Sequence, residues 1–254
     1  MFNDILILFL MFIIYSIIGY IVEVFYSYLE TKEFTLNRGF LLGPYIPIFG
    51  VGAIAITIFL TKYKNDILIL FVIGAVLSAL LEYITSVILE KIFKLRWWDY
   101  SKYKYNINGR ICLEVASLFG IGAVVVVKLF NPIFYKMLLL MPEHYITIIS
   151  ILLFVIFLTD LIITVIIMSK IKINFTKYIK LDATSAIKKE IIKSLRKNIS
   201  LVNRVFNAFP NIRYIAANKT IKKLPRIRFE SDKLKAFKKL IYKTAQEVKK
   251  KAKR

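Results

Sequence analysis

Five apolar runs constrain this chain more than any other feature. They are Ile5–Leu29, Pro44–Leu60, Ile67–Leu89, Ile111–Val127 and Tyr145–Met168. A helix rises 1.5 Å per residue, so about 20 apolar residues cross a hydrocarbon layer of about 30 Å. In lipid every backbone polar group needs an internal partner, and for short-looped runs that requirement selects helices. The expected fold is therefore all-α: a polytopic helical membrane protein with about five transmembrane helices. A mean hydropathy of +0.63 excludes an ordinary soluble domain. Asp4 is the only charge before Glu23. The first run thus lacks a basic leader and is too long for a signal peptide, so it is expected to remain as a helix.

Charge divides the chain in two. Residues 1–169 carry a net +1 and residues 170–254 a net +21, within a total of +22. The reading is a helical transmembrane domain at 1–169 and a basic, partly helical C-terminal tail at 170–254. Lys and Arg concentrate in the tail and in loop 90–110, and loops 61–66 and 128–144 hold two each. The positive-inside rule then places the tail and loop 90–110 in the cytoplasm and the N-terminus outside. The expected location is the cytoplasmic (inner) membrane of a bacterial cell. The tail shows helical spacing over Ala186–Phe209 and again over Leu234–Lys253. Its expected partner is anionic lipid, at about 1 kcal/mol per basic residue near the surface. Nucleic acid is disfavoured, because net charge alone is unspecific and no recognition motif is present.

Loop 95–114 is unusually polar and aromatic for such a chain. It holds Arg96, Trp97, Trp98, Asp99, Asn108, Arg110 and Glu114. Three further acids, Glu23, Glu82 and Asp160, lie inside apolar runs. An ionisable group in a span costs roughly 2.5–3.5 kcal/mol on insertion scales. Counted from the expected span ends, all four acids fall in one layer near the cytoplasmic face. Arg38, Arg96 and Arg110 are their candidate counter-charges. Glu23, Asn37, Arg38, Glu82, Arg96, Trp97, Trp98, Asp99, Asn108, Arg110, Glu114 and Asp160 form the candidate substrate- or ion-binding set. The same residues also permit a structural reading, in which Glu–Arg pairs join helices, and the tryptophans an aromatic-belt reading. Cys112 and His144 are single and distant in sequence, so neither a metal site nor a Cys–His pair is expected. No cofactor is expected.

Two stretches resemble each other. Glu23 is followed by Ser27 and then Asn37-Arg38-Gly39, and Glu82 by Ser86 and then Asn108-Gly109-Arg110. This reads as a parallel internal repeat. The segment from Gly39 to Gly50 carries Pro44 and Pro47. Pro44 is expected in the first turn of the second helix, and the backbone near Gly39–Gly43 could bind an anion.

Asn37–Gly50, Glu82–Ser86, Arg96–Ser101 and Asn108–Cys112, in that order, resemble the bacterial membrane proteins described as putative ABC-transporter type IV, or CmpB-like. The resemblance covers about residues 5–168 and includes Asp160. It implies a permease-like component. The chain lacks a Gly-x-x-x-x-Gly-Lys-Ser/Thr run, so the resemblance implies a separate ATPase subunit. The small size points to a homo-oligomer. Two alternatives stay open: a membrane enzyme whose Asp99, Arg96 and Arg110 grip a lipid headgroup, and a structural or scaffolding protein. No nucleophile–base set supports the enzyme.

Overall fold

The computed structural model describes residues 2–32, 36, 38–180, 208, 213 and 214. Asn37 and the tail patterns, apart from Ala208, lie outside the described residues. The chain divides into units 1–212 and 213–254. In the second unit the described residues are Arg213 and Tyr214, a two-residue strand.

The first unit is helical. Its elements are α1 (Phe2–Thr31), α2 (Pro47–Leu60), α3 (Ile67–Phe93), α4 (Leu113–Val125), α5 (Asn131–Leu139) and α6 (Glu143–Lys180). Four helical stretches are long and apolar enough to cross a membrane: Asn3–Leu29, Ile67–Phe93, Leu113–Leu139 and Glu143–Ser169. The apolar helix Pro47–Tyr63 is shorter.

The fourth span differs from its expected end at Val127. α4 passes through a π-turn at Val126–Phe130 directly into α5. Pro132 explains the π-turn. Its ring would clash with the carbonyl four residues back, and a wider turn makes room. Much of the expected loop 128–144 is thus helix. Asn131, just past the π-turn, accepts hydrogen bonds from Tyr15 Oη at 2.6 Å and Thr57 Oγ1 at 3.1 Å.

The second span differs more. Its helix begins at Pro47, three residues beyond Pro44. The Ile46 N–H donates to Ser16 O at 2.9 Å, and Ser16 is the midpoint of the Asn3–Leu29 span. A Cβ on Gly50 would overlap Ser16 and Phe12. α2 therefore starts halfway along α1 and runs back toward its start. The other half is occupied by the non-helical segment 38–46. Gly39, at φ +85°, supplies a left-handed turn there. Such backbone survives at membrane depth only when buried in protein and given other partners.

Two apolar clusters fill the half where α1 begins. Ile7, Leu10, Met11, Tyr15, Ala53, Leu138 and Ile146 form one. Ile56, Leu60, Leu70, Ala123 and Val127 form the other. α3 and α4 meet closely because a Cβ on Gly74 would overlap Ala123, and one on Gly120 would meet Phe71 O at 2.8 Å. Small residues allow this approach where lipid gives no hydrophobic drive.

Candidate functional site

The candidate residues gather at the opposite half, called here the loop end, where α1 and α3 finish and α4 begins. Lys94 ends α3 in the left-handed region at φ 58°, and its N–H caps Glu90 O at 2.9 Å. That turn folds loop 95–112 back over the helix ends. The loop closes in a short antiparallel pair, Asn106–Ile107 with Ile111–Cys112. Its turn has Asn108 at φ 55° and Gly109 at φ 66°, the positive values that a tight hairpin turn needs.

Glu90 organises the loop. Its Oε1 accepts from Arg96 Nε at 2.6 Å, and its Oε2 pairs with Arg110 Nη2. Arg96 Nη1 also donates to Asn108 O at 3.2 Å, and Trp98 Nε1 to Arg110 O at 2.9 Å. Arg96 and Arg110 were expected to face the four acids, but their ionic partner is Glu90. In sequence, Glu90-Lys91 reads as an ordinary helix end. A usable signal existed: Glu82, Ser86 and Glu90 recur every four residues and are all buried.

Trp97 is only 2% exposed. It packs edge-on against Phe40 at 5.2 Å and Phe93 at 6.1 Å. It is a packing residue, and the aromatic-belt reading does not hold for it. Asp99 accepts from the Ser101 N–H at 3.0 Å and braces the turn against Gly109. Asn108 Nδ2 donates to Tyr83 Oη at 3.1 Å.

Glu82 is buried, and its Oε1 accepts from Tyr100 Oη at 2.9 Å. Burial first, and then the charges of Glu82 and Glu23, push the Tyr100 phenol well above its ordinary range. Glu23, half-buried on α1, therefore lies within electrostatic reach of this pair. Glu114 is exposed on α4. Arg38 is buried and donates to Ser27 Oγ.

Asp160 forms a separate knot. Oδ1 accepts from the Leu42 N–H at 2.9 Å and Thr164 Oγ1 at 3.1 Å. Oδ2 accepts from the Gly43 N–H at 2.7 Å and Tyr45 Oη at 2.6 Å. The carboxylate on α6 thus supplies the partners that segment 38–46 lost by not being helical. The sequence expectation of an anion near Gly39–Gly43 meets this side chain.

The acids do not form one layer. Measured from the span centres, Glu82 lies about 3 Å, Asp160 about 6 Å, Glu23 about 10 Å and Glu114 about 18 Å toward the loop end. The spans are longer than the apolar runs implied, and that moves the reference points. Among the described residues no group of three His, Cys, Asp or Glu could hold a metal.

In the repeat, each loop arginine folds back onto the preceding helix, Arg38 to Ser27 and Arg110 to Glu90. The two units diverge beyond that, since only the first continues as broken backbone.

A family model described as putative ABC-transporter type IV matches residues 10–165. That range holds every candidate residue. No curated protein and no solved structure matches the chain.

Proposed function

The chain belongs to the putative ABC-transporter type IV family, and from that premise we propose that it is the permease-type membrane subunit of a transporter. One observation carries the reading: the second span is broken. Segment 38–46 crosses half the bundle as irregular backbone, and its Leu42 and Gly43 N–H groups are held by Asp160. Transporters place such discontinuous spans at their binding sites, because unwound backbone offers polar groups at mid-membrane depth. A protein that only needed to anchor itself would gain nothing from this break.

In this reading the loop end faces the cytoplasm of a bacterial cell, as the Lys/Arg distribution supports. The polar site lies there, and the N-terminus is outside. The chain has no phosphate-binding loop of its own, so a separate ATPase subunit docks on the cytoplasmic face, and copies of the chain pair to enclose a path. The basic tail lies on anionic lipid. A structural role is favoured for one cluster only: Glu90 with Arg96 and Arg110, whose charges pair with one another and fix the loop.

Thiol labelling of Leu42→Cys in native membranes, in a Cys112→Ser background, tests the reading. The expected result is reaction with a membrane-impermeant reagent at a rate that responds to ATP. Val76→Cys, on the lipid-exposed face of α3, is the reference. A Leu42→Cys rate as low as that reference, with or without ATP, would refute a path along segment 38–46.

A further inference from the structure

Arg38 is 7% exposed and has no acidic partner among the described residues. Its Nη2 meets a neutral hydroxyl, Ser27 Oγ, and its Nη1 reaches Ala208 O at 3.5 Å, the outer limit of a hydrogen bond. Its Nε is buried with no partner. A guanidinium has five N–H donors, and here two are directed at acceptors, neither of them charged.

The other arginines with described side chains, Arg96 and Arg110, each have an acidic partner, the shared Glu90 carboxylate. Nor does the buried Glu82 complete Arg38, since its hydrogen bond comes from Tyr100. A buried carboxyl can shed its charge by taking a proton, but arginine cannot lose its proton in a protein. A buried guanidinium must therefore keep its charge, and leaving its donors unfilled is costly. An anion from outside the chain removes that cost.

We propose that Arg38, with Ser27, is the binding site of a phosphate group. The guanidinium fork matches the geometry of a phosphate oxygen pair. Ser27 lies near the loop-end terminus of the Asn3–Leu29 span, which is headgroup depth. Leu36, in the loop that leads to Arg38, is an exposed apolar side chain, available to a bound lipid's chain. The phosphate enters by displacing the distant Ala208 carbonyl from Nη1. The site is independent of the transport reading, because it uses neither Asp160 nor an ATPase.

The experiment uses the full chain purified into nanodiscs, with two probes. One is phosphatidylglycerol doped into phosphatidylcholine, read as lipid retained in native mass spectrometry. The other is inorganic phosphate added to phosphatidylcholine discs, read as a saturable shift in melting temperature. Saturable binding of the first places the phosphate on a lipid, and of the second on a solute. Arg38→Met should weaken whichever is seen by at least roughly tenfold, the loss of one charge-assisted contact of about 1.5 kcal/mol. Arg38→Lys, which keeps the charge without the fork, should fall between. Failure of the wild-type chain to bind either probe overturns the proposal even if the variants do not fold. So does unchanged binding in Arg38→Met. Loss of the transport reading through Leu42→Cys labelling would leave this result standing.

Discussion

Replacing Asp160 by Asn tests the broken span directly. The amide keeps Oδ1, and with it the bonds from Leu42 N–H and Thr164 Oγ1. It puts an NH2 group where Oδ2 stood, facing the Gly43 N–H at 2.7 Å and Tyr45 Oη at 2.6 Å. Tyr45 can rotate its hydroxyl to accept, but the Gly43 N–H cannot, so donor faces donor. Losing the bond and leaving that N–H unsatisfied costs about 1–3 kcal/mol. Weakening the remaining bonds by removing the charge adds about 1 kcal/mol, discounted because Asp160 is only half-buried. The total is about 2–4 kcal/mol. Hydrogen exchange in nanodiscs gives the local readout. A loss of that size corresponds to roughly 30- to 700-fold faster exchange at Leu42 and Gly43, at about 1.4 kcal/mol per tenfold. Amides in α3 should change far less. Unchanged exchange at Leu42 and Gly43 would show that Asp160 does not hold the segment.

Other substitutions separate the remaining contacts. Glu90→Gln leaves two guanidiniums around a neutral amide and should cost about 3–5 kcal/mol in an unfolding titration. Adding Arg110→Met should recover part of that loss, and strictly additive losses would contradict the pairing. Gly74→Val drives a side chain into Ala123 and should destabilise by about 1–3 kcal/mol, while Gly52→Ala, with nothing within 4 Å, should be neutral or slightly stabilising. Cys112 is 3% exposed, and burial pushes its thiol up. Maleimide labelling at neutral pH should therefore be at least roughly tenfold slower than in the unfolded chain, and equal rates would contradict its burial. Tyr100 has its phenol raised in the folded state, so the folded chain holds that proton more tightly than the unfolded one. Its contribution is complete below the ordinary tyrosine range and fades as pH rises above about 10. Over that range wild type should lose more stability than Tyr100→Phe.

The spans were readable because apolar side chains repeat over lengths that only a bilayer demands. Their ends were less so. Lys128, Asn131 and Pro132 look like a loop, yet a π-turn absorbs the proline and the helix runs on to Leu139. Pro44 and Pro47 each suit a first helical turn. What selects Pro47 is a carboxylate more than a hundred residues away, a pairing no local pattern carries. The polarity of loop 95–114 was plain in the sequence, but not that most of its polar side chains brace the loop itself. The partner that organises it, Glu90, stands outside that stretch, in the last turn of α3. Arg38 belonged to a recognisable motif, though only its burial without an acidic partner among the described residues distinguishes it from a topology-setting charge.

The most direct test of the permease reading is recovery of the chain, tagged at its C-terminus, from native membranes after mild cross-linking. The account predicts a nucleotide-binding ATPase subunit at near-equal amount, lost when loop 95–112 is replaced by a Gly/Ser linker of equal length. Recovery of the chain without any ATP-binding partner, from cells in which it is expressed at its natural level, would contradict it.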